Sequence, residues 1–480
     1  MKKYLIFLFI ALTTSPAFSQ GYQVTFKAPG YKSGITYLTY YMGANFNIAD
    51  SAAIGNNGVA VFKGKENLPP GIYAIFFPGK KLRAEFLIDK EQVISVTADT
   101  SDLVNKTIVT GSKENALYNQ YQKFAANKGK AMQKELKSFR GATTAEDSIM
   151  HQETYKAFNK ELNDYREGII KTQPKSMMAA LLSAMKEPAF PDKVPVTKQD
   201  SINSYNEYKN HYWDGISFMD DRIIRTPFFL KKLERYYREV ISPEPDSIIK
   251  DIDYKLLLAR SSPEMYKFLL NWITDEFINP KYMGQDAVFV HLFEKYHSKG
   301  ASFWLNEKQM EALSRRAYML MANLIGEQAA DLQMLDPDDK PTSLYALDAE
   351  YSIVVFWDPN CGHCKEEIPR LDSIYRASWK DHNVKIFAVL TPDGRQNVKA
   401  DWISFIKNKN IGDWAHAYRT KEMDDADYAA QKPGYRQLYD ITMTPILYLL
   451  DKEKRIIGKK LTLLQLNDLL KVKWSNAPSK

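Results

Sequence analysis

Both cysteines of this 480-residue chain fall in one four-residue motif, Cys361-Gly362-His363-Cys364. A chain with no other thiol cannot be stapled by disulfides, so each of its parts must bury a hydrophobic core of its own. The length predicts roughly three domains. A composition of 45% hydrophobic and 26% charged residues is that of a folded protein and excludes wholesale disorder, collagen and coiled coil. The formal charge is +7, of which Lys2 and Lys3 supply two within an acid-free leader, leaving +5. That balance is too weak to indicate nucleic acid as a partner.

Residues 1–19 read as a secretory signal peptide. Lys2 and Lys3 form the basic start, residues 4–12 the apolar run, and Ala17-Phe18-Ser19 a small-x-small site that predicts cleavage after Ser19. A run of nine apolar residues is short of the roughly 20 needed to span a bilayer. No later stretch reaches about 18 uninterrupted apolar residues. The expectation is an exported, periplasmic protein without a transmembrane segment.

Three textures follow one another. Residues 20–111 hold short β-branched and aromatic runs, such as Tyr22-Gln23-Val24-Thr25-Phe26, Val59-Ala60-Val61-Phe62 and Ile72-Tyr73-Ala74-Ile75-Phe76-Phe77. Turn formers at Pro29-Gly30, Gly55-Asn56-Asn57-Gly58 and Pro69-Pro70-Gly71 separate them, which predicts a small all-β sandwich or open barrel. Residues 112–330 change to a helical period. Phe229, Leu233, Tyr236 and Val240 share one helix face behind Thr226-Pro227, Ser262-Pro263 opens a further helix, and Gly141-Ala142-Thr143-Thr144 marks a turn between two long ones. Residues 331–480 alternate strand and helix. Ser352-Ile353-Val354-Val355-Phe356-Trp357, residues 384–390 and residues 446–450 are continuous apolar runs, as buried parallel strands require. The expected architecture is multidomain: an N-terminal all-β sandwich, a central all-α domain, and a compact C-terminal α/β domain behind a Pro/Asp-rich joint at residues 336–341.

The cysteine pair lies directly after the first buried strand, where a helix begins. Two cysteines separated by two residues at a helix N-terminus come within disulfide reach. The first sulfur also faces unpaired N–H groups and the positive end of the dipole, which favour the thiolate. Cys361 is therefore expected to attack a disulfide and Cys364, one turn in, to resolve the mixed disulfide. His363 is expected to tune the couple, with Gly362 and Trp357 beside it, and Asp358 to oppose the thiolate if its carboxylate points at the sulfur. A zinc site needs four protein ligands, and no further cysteine or metal-spaced histidine pair accompanies this one; His291 and His297 are read as surface or core histidines. A structural disulfide across so short a ring would constrain the unfolded chain little. No metal and no cofactor beyond a redox-active Cys361–Cys364 disulfide is expected.

Residues 326–474 resemble the thioredoxin superfamily, in particular the exported TlpA/ResA-type redoxins. The resemblance rests on Phe356-Trp357, Cys361-Gly362-His363-Cys364, Ile368-Pro369, and Thr444-Pro445 before Leu447-Tyr448-Leu449-Leu450-Asp451. It implies that the C-terminal α/β domain has a thioredoxin fold, that Pro445 is cis and faces the cysteines, and that Thr444 offers its backbone to a bound substrate strand. The dipeptide Gly362-His363 is similar to that of disulfide isomerases. The whole chain is similar to Bacteroides-group redoxins with an N-terminal β domain and a helical domain of unknown function. The carrying segments are Pro70-Gly71-Ile72-Tyr73, residues 282–291 and Asp358-Pro359-Asn360-Cys361. One position departs: Val355 stands where thioredoxin itself has a buried acid, so another group or water must take the proton of Cys364.

These readings predict a periplasmic thiol-disulfide oxidoreductase acting on exported protein substrates, as reductase or isomerase rather than oxidase, recharged by a membrane or periplasmic electron donor. A thiol peroxidase would use a single peroxidatic cysteine in place of the pair. The non-enzymatic alternative is a secreted docking protein in which the redoxin is accessory.

Overall fold

The computed structural model describes residues 21–141, 144–188, 194–394 and 398–475. Residues 1–19, expected as a signal peptide, and the centre of the expected turn at 141–144 lie outside the described residues. The chain divides into two compact units: one of the described residues up to Ile241 together with Lys255–Phe268, the other of Ser242–Tyr254 together with the described residues from Leu269 onward. The helical region thus contributes to both.

In the first unit, β1 (Tyr22–Lys27), β2 (Ile35–Met42), β3 (Asn45–Ala53), β4 (Val59–Gly64), β5 (Gly71–Phe76), β6 (Arg83–Ile88), β7 (Val93–Thr97) and β8 (Ile108–Thr110) form two sheets, ordered β4-β1-β7-β8 and β3-β2-β5-β6. Alternate residues of both sheets, among them Val24, Phe26, Leu38, Ile75, Phe86 and Val96, close one core between them, which makes a sandwich. The polar edge strand β3 carries little of the hydrophobic alternation and follows β2 through a register shift at Leu38/Thr39. Helices α1 (Lys113–Arg140) and α2 (Ala145–Thr172) come next, capped by Ser112 and Thr144, whose side chains accept from Asn115 and Asp147 backbone N–H.

Phe229, Leu233, Tyr236 and Val240 are all buried, as their spacing predicts, but the helix is α only over Phe229–Arg235 and widens to a π turn at Tyr236–Val240. There the Ile241 N–H reaches the Tyr236 carbonyl, five residues back. Thr226 accepts from the Phe229 N–H, in keeping with its expected place ahead of that helix.

In the second unit, helix α3 (Glu307–Met321) precedes the hairpin of β9 (Gln333–Leu335) and β10 (Pro341–Ser343). Residues 336–341, expected as a joint ahead of the α/β fold, instead turn this hairpin inside the unit. The Asp336 carboxylate accepts from the Asp338 and Lys340 N–H groups and closes the turn locally. Strands β11 (Tyr351–Trp357), β12 (Val384–Leu390), β13 (Ala415–Ala417), β14 (Ile446–Leu450) and β15 (Ile456–Lys459) make a sheet ordered β13-β12-β11-β14-β15. β11, β12 and β13 are parallel; β14, expected as a further parallel strand, instead pairs antiparallel with β11, since an apolar run reports burial on both faces and not strand direction, and β15 pairs antiparallel with β14. β11 sits at the centre with apolar side chains on both faces, Val355 and Trp357 in one core and Val354 and Phe356 in the other. Helix α4 (Gly362–Ile374) follows it directly. A central sheet of this order with helices packed on it is a thioredoxin fold, preceded, as expected, by a β region and a helical region.

Candidate active site

The end of β11 and the start of α4 place the motif. Trp357, the last strand residue, is fully buried, and its ring lies 5.1 Å from that of Phe405. The strand then stops at Asp358-Pro359-Asn360. The Asp358 carboxylate accepts from the Asn360 N–H at 2.8 Å and from the Asp393 N–H at 3.2 Å, the latter just beyond β12. Its carbonyl takes the Cys361 N–H at 3.1 Å. Asp358 therefore spends its carboxylate on fixing the loop, not on opposing a thiolate.

Cys361 is the N-cap of α4, in extended conformation, and its thiol is partly exposed; Cys364 is fully buried one turn in. Both are free thiols. For Cys361 the largest influence, burial, raises the pKa, yet donation from the Cys364 backbone N–H, the Thr444 side-chain hydroxyl, the Cys364 thiol and the His363 backbone N–H outweighs it. The thiol ends below its ordinary value. Cys364 goes the other way. Burial pushes it up to about 12, the Asp358 backbone offsets this only in part, and the hydrogen bond to Cys361 and the charge there raise it further. One shared hydrogen bond thus lowers the outer thiol and raises the inner one. The His363 side chain is exposed on the first turn of α4, Gly362 leaves open space beside the pair, and Val355 is sealed in the core beneath.

The third component arrives from 80 residues downstream. The Thr444-Pro445 peptide is cis, at the entrance to β14. The Thr444 carbonyl accepts the Cys361 thiol at 3.4 Å. Thr442 and Met443 beside it are exposed, Met443 at 70%. The structure therefore brings Cys361, Cys364, Thr444 and Pro445 together with Gly362 and the His363 backbone, while Trp357 supports the loop from within the core. Chemically, the arrangement offers a partly exposed thiol that ionises more readily than usual, a buried thiol in reach of it, and an exposed loop alongside.

His291 and His297 take no part. His291 pairs with Asp253 at 2.9 Å, and His297 is buried between the Thr274 and Ser302 hydroxyls at 2.8 Å each. Among the described residues no group of three or more His, Cys, Asp or Glu side chains could hold a metal ion, and no helix is long and apolar enough to cross a membrane.

Residues 325–457 match the AhpC/TSA family, and residues 22–118 match a domain of unknown function, DUF4369. No curated protein matches the chain. Among solved structures, a thioredoxin-like protein from Bacteroides caccae is 21% identical, covering 60% of this chain and 98% of its own, with a TM-score of 0.45. A domain of a possible thiol-disulfide isomerase from Cytophaga hutchinsonii is 30% identical over 33% of this chain and 97% of its own, with a TM-score of 0.27. The thioredoxin domain of a thiol-disulfide oxidoreductase from Bacteroides vulgatus is 27% identical over 32% of this chain and 98% of its own, with a TM-score of 0.26.

Proposed function

With a C-terminal segment that matches the AhpC/TSA family and folds as a thioredoxin, we propose that the chain is a periplasmic thiol-disulfide oxidoreductase that reduces or isomerises disulfides in exported proteins. The observation that carries this reading is the opposite displacement of the two thiols, Cys361 down and Cys364 up, with the Cys361 sulfur against the Thr444 carbonyl.

The exchange runs in two steps. The Cys361 thiolate attacks one sulfur of the substrate disulfide, forming a mixed disulfide and releasing the other substrate sulfur as a thiolate. Cys364 then gives up its proton and attacks the Cys361 sulfur, which closes the Cys361–Cys364 disulfide and releases the second substrate thiol. The substrate gains two electrons and the protein loses two, so an electron donor in the membrane or periplasm must reduce the pair again. With Val355 in place of a buried acid and Asp358 held by backbone N–H groups, the proton of Cys364 passes to a departing substrate thiolate or to water. No cofactor beyond the cysteine couple takes part. Thr444 and Pro445 form the edge along which an extended substrate segment lies, and His363 and Gly362 tune the thiolate at the helix start.

The test is exchange with a disulfide-bonded protein. Wild type reduces it, Cys361→Ser does not, and Cys364→Ser accumulates mixed disulfides with exported proteins. A wild type that leaves a model disulfide intact, with no partner captured by Cys364→Ser, ends the proposal. The reduction potential should lie between about −270 mV, as in thioredoxin, and about −180 mV, as in the isomerases. A value near −120 mV would make the protein an oxidant.

A further inference from the structure

The loop that carries Thr444 is anchored in part from outside the family-matched segment, by Asn323, Arg316 and Lys460. Three consecutive residues ahead of it are each held by a different group. The Leu438 carbonyl accepts from Asn323 Nδ2 at 3.0 Å, and the Tyr439 carbonyl accepts from the Tyr448 hydroxyl at 2.6 Å. The Asp440 carboxylate, with no exposed side-chain surface, accepts from Arg316 Nη1 at 2.7 Å and from Lys460 Nζ. Arg316 lies on α3 and is itself steadied by donation from Nε to the Ile278 carbonyl at 3.2 Å. Asp440 takes a left-handed backbone, φ 44°, which turns the chain out of the preceding helical turn and into the loop. Only Ile441, Thr442 and Met443 then separate Asp440 from Thr444. Four residue steps span at most about 14 Å, so the anchor stays within a short reach of the carbonyl that meets Cys361.

We infer that Arg316 is a positioning residue for the redox site: through the buried Asp440 carboxylate, which it shares with Lys460, it sets where the Thr444-Pro445 edge stands relative to Cys361. The inference rests on the function proposed above and adds a role for a helix that precedes the thioredoxin fold. A buried carboxylate with two cationic donors is fully compensated; with one removed, the freed oxygen loses its charged partner and is left facing the cavity that Arg316, Asp440 and Lys460 line. The Asp440 segment then has a lower-energy route to solvent, and the short loop must follow. Exposed Thr442 and Met443 add little packing to resist that movement.

The test compares Arg316→Met, Arg316→Lys and the neighbouring control Arg315→Ala in the full chain; Arg315 is exposed and pairs with Glu311, one turn away on the same helix. The first readout is hydrogen exchange at the Ile441 amide, which donates to the Arg436 carbonyl at 2.8 Å. Losing one hydrogen bond to a charged group should raise its exchange about tenfold or more in Arg316→Met, with the β14 amides unchanged. The second readout is kinetic. KM for a disulfide-bonded peptide should rise about threefold or more at a nearly constant kcat, while attack on a small aromatic disulfide, which needs no docking edge, stays within about twofold of wild type. Arg316→Lys should recover most of both effects, and Arg315→Ala should show neither.

Ile441 exchange and peptide KM within twofold of wild type in Arg316→Met would overturn the inference. So would a uniform loss of protection across the sheet, because that marks a general stability role. If Arg316→Met does not fold, Lys460→Met leaves Arg316 on Asp440 and carries the same readouts at smaller size, with unchanged Ile441 exchange again overturning the inference. Should the wild type fail to exchange disulfides at all, the proposed function falls, while the Ile441 amide still decides the role of Arg316.

Discussion

The unequal thiols give a reactivity ratio that can be worked out in advance. In single-cysteine variants, Cys364→Ser reports on Cys361 and Cys361→Ser on Cys364. Cys364 is raised from 9.0 to about 12 and Cys361 lies below 9.0, so at neutral pH their thiolate populations differ by more than about 1,000-fold. A thiolate of higher pKa is intrinsically the better nucleophile, with a Brønsted slope of about 0.45, which returns roughly 20-fold of that advantage. The net expectation is alkylation of Cys361 about 50-fold faster than Cys364 from titration alone, with the complete burial of Cys364 adding to it. Removing Cys361 also takes away its hydrogen bond and charge, but burial is the first cause of the displacement and remains. Iodoacetamide labelling followed by mass spectrometry between pH 6 and 10 measures both rates. The Cys361 rate should level off once its thiolate is complete, while the Cys364 rate climbs about tenfold per pH unit throughout. A ratio below about fivefold at pH 7, or a plateau for Cys364 below pH 9, would refute the assignment of roles to the two sulfurs.

Three further outcomes follow from the packing. His297 and His416 are lowered by burial from 6.5 to about 4, so the folded form takes up protons less readily than the unfolded one. Their stabilisation is complete above about pH 6.5 and is lost as pH falls toward 4, by about 3 kcal/mol each; urea midpoints that stay flat over that window would contradict this. Lys459 and Asp286 form a buried ion pair in which Lys459 also donates to Asn323 at 2.7 and 2.9 Å. Lys459→Met should cost about 3–5 kcal/mol in chemical denaturation, and adding Asp286→Leu should recover part of the loss; equal instability of the single and double variants would show that the pair is not the cause. Gly71 leaves no room for a side chain, because a Cβ there would stand 2.4 Å from the Arg225 Cβ and 3.1 Å from its carbonyl oxygen. Gly71→Ala should therefore destabilise by about 1–3 kcal/mol, and an unchanged melting temperature would rule out the close approach.

What the sequence by itself determined is what depends on neighbours along the chain. Continuous apolar runs announce β11, β12 and β14 because strands covered on both faces need no polar alternation. The two-residue gap puts one sulfur at the mouth of α4 and the other a turn inside, and that alone separates the exposed thiol from the buried one. The short edge strands β13 and β15 carry too few residues for a period to show, and the π turn at Tyr236–Val240 keeps the helical burial pattern while changing the hydrogen bonding beneath it.

Tertiary structure alone decided the rest. The contact of Thr444 with Cys361 joins residues 83 apart, and the hold of Arg316 on Asp440 joins residues 124 apart. An arginine on an amphipathic helix and an aspartate before a loop look like solvated surface when read locally. They become an ion pair because the fold brings them together with the carboxylate fully covered, and a buried carboxylate must find partners or give up its charge. Asp358 shows the same limit: its charge is visible in the sequence, but only the loop geometry shows that backbone N–H groups, and not the thiol, receive it.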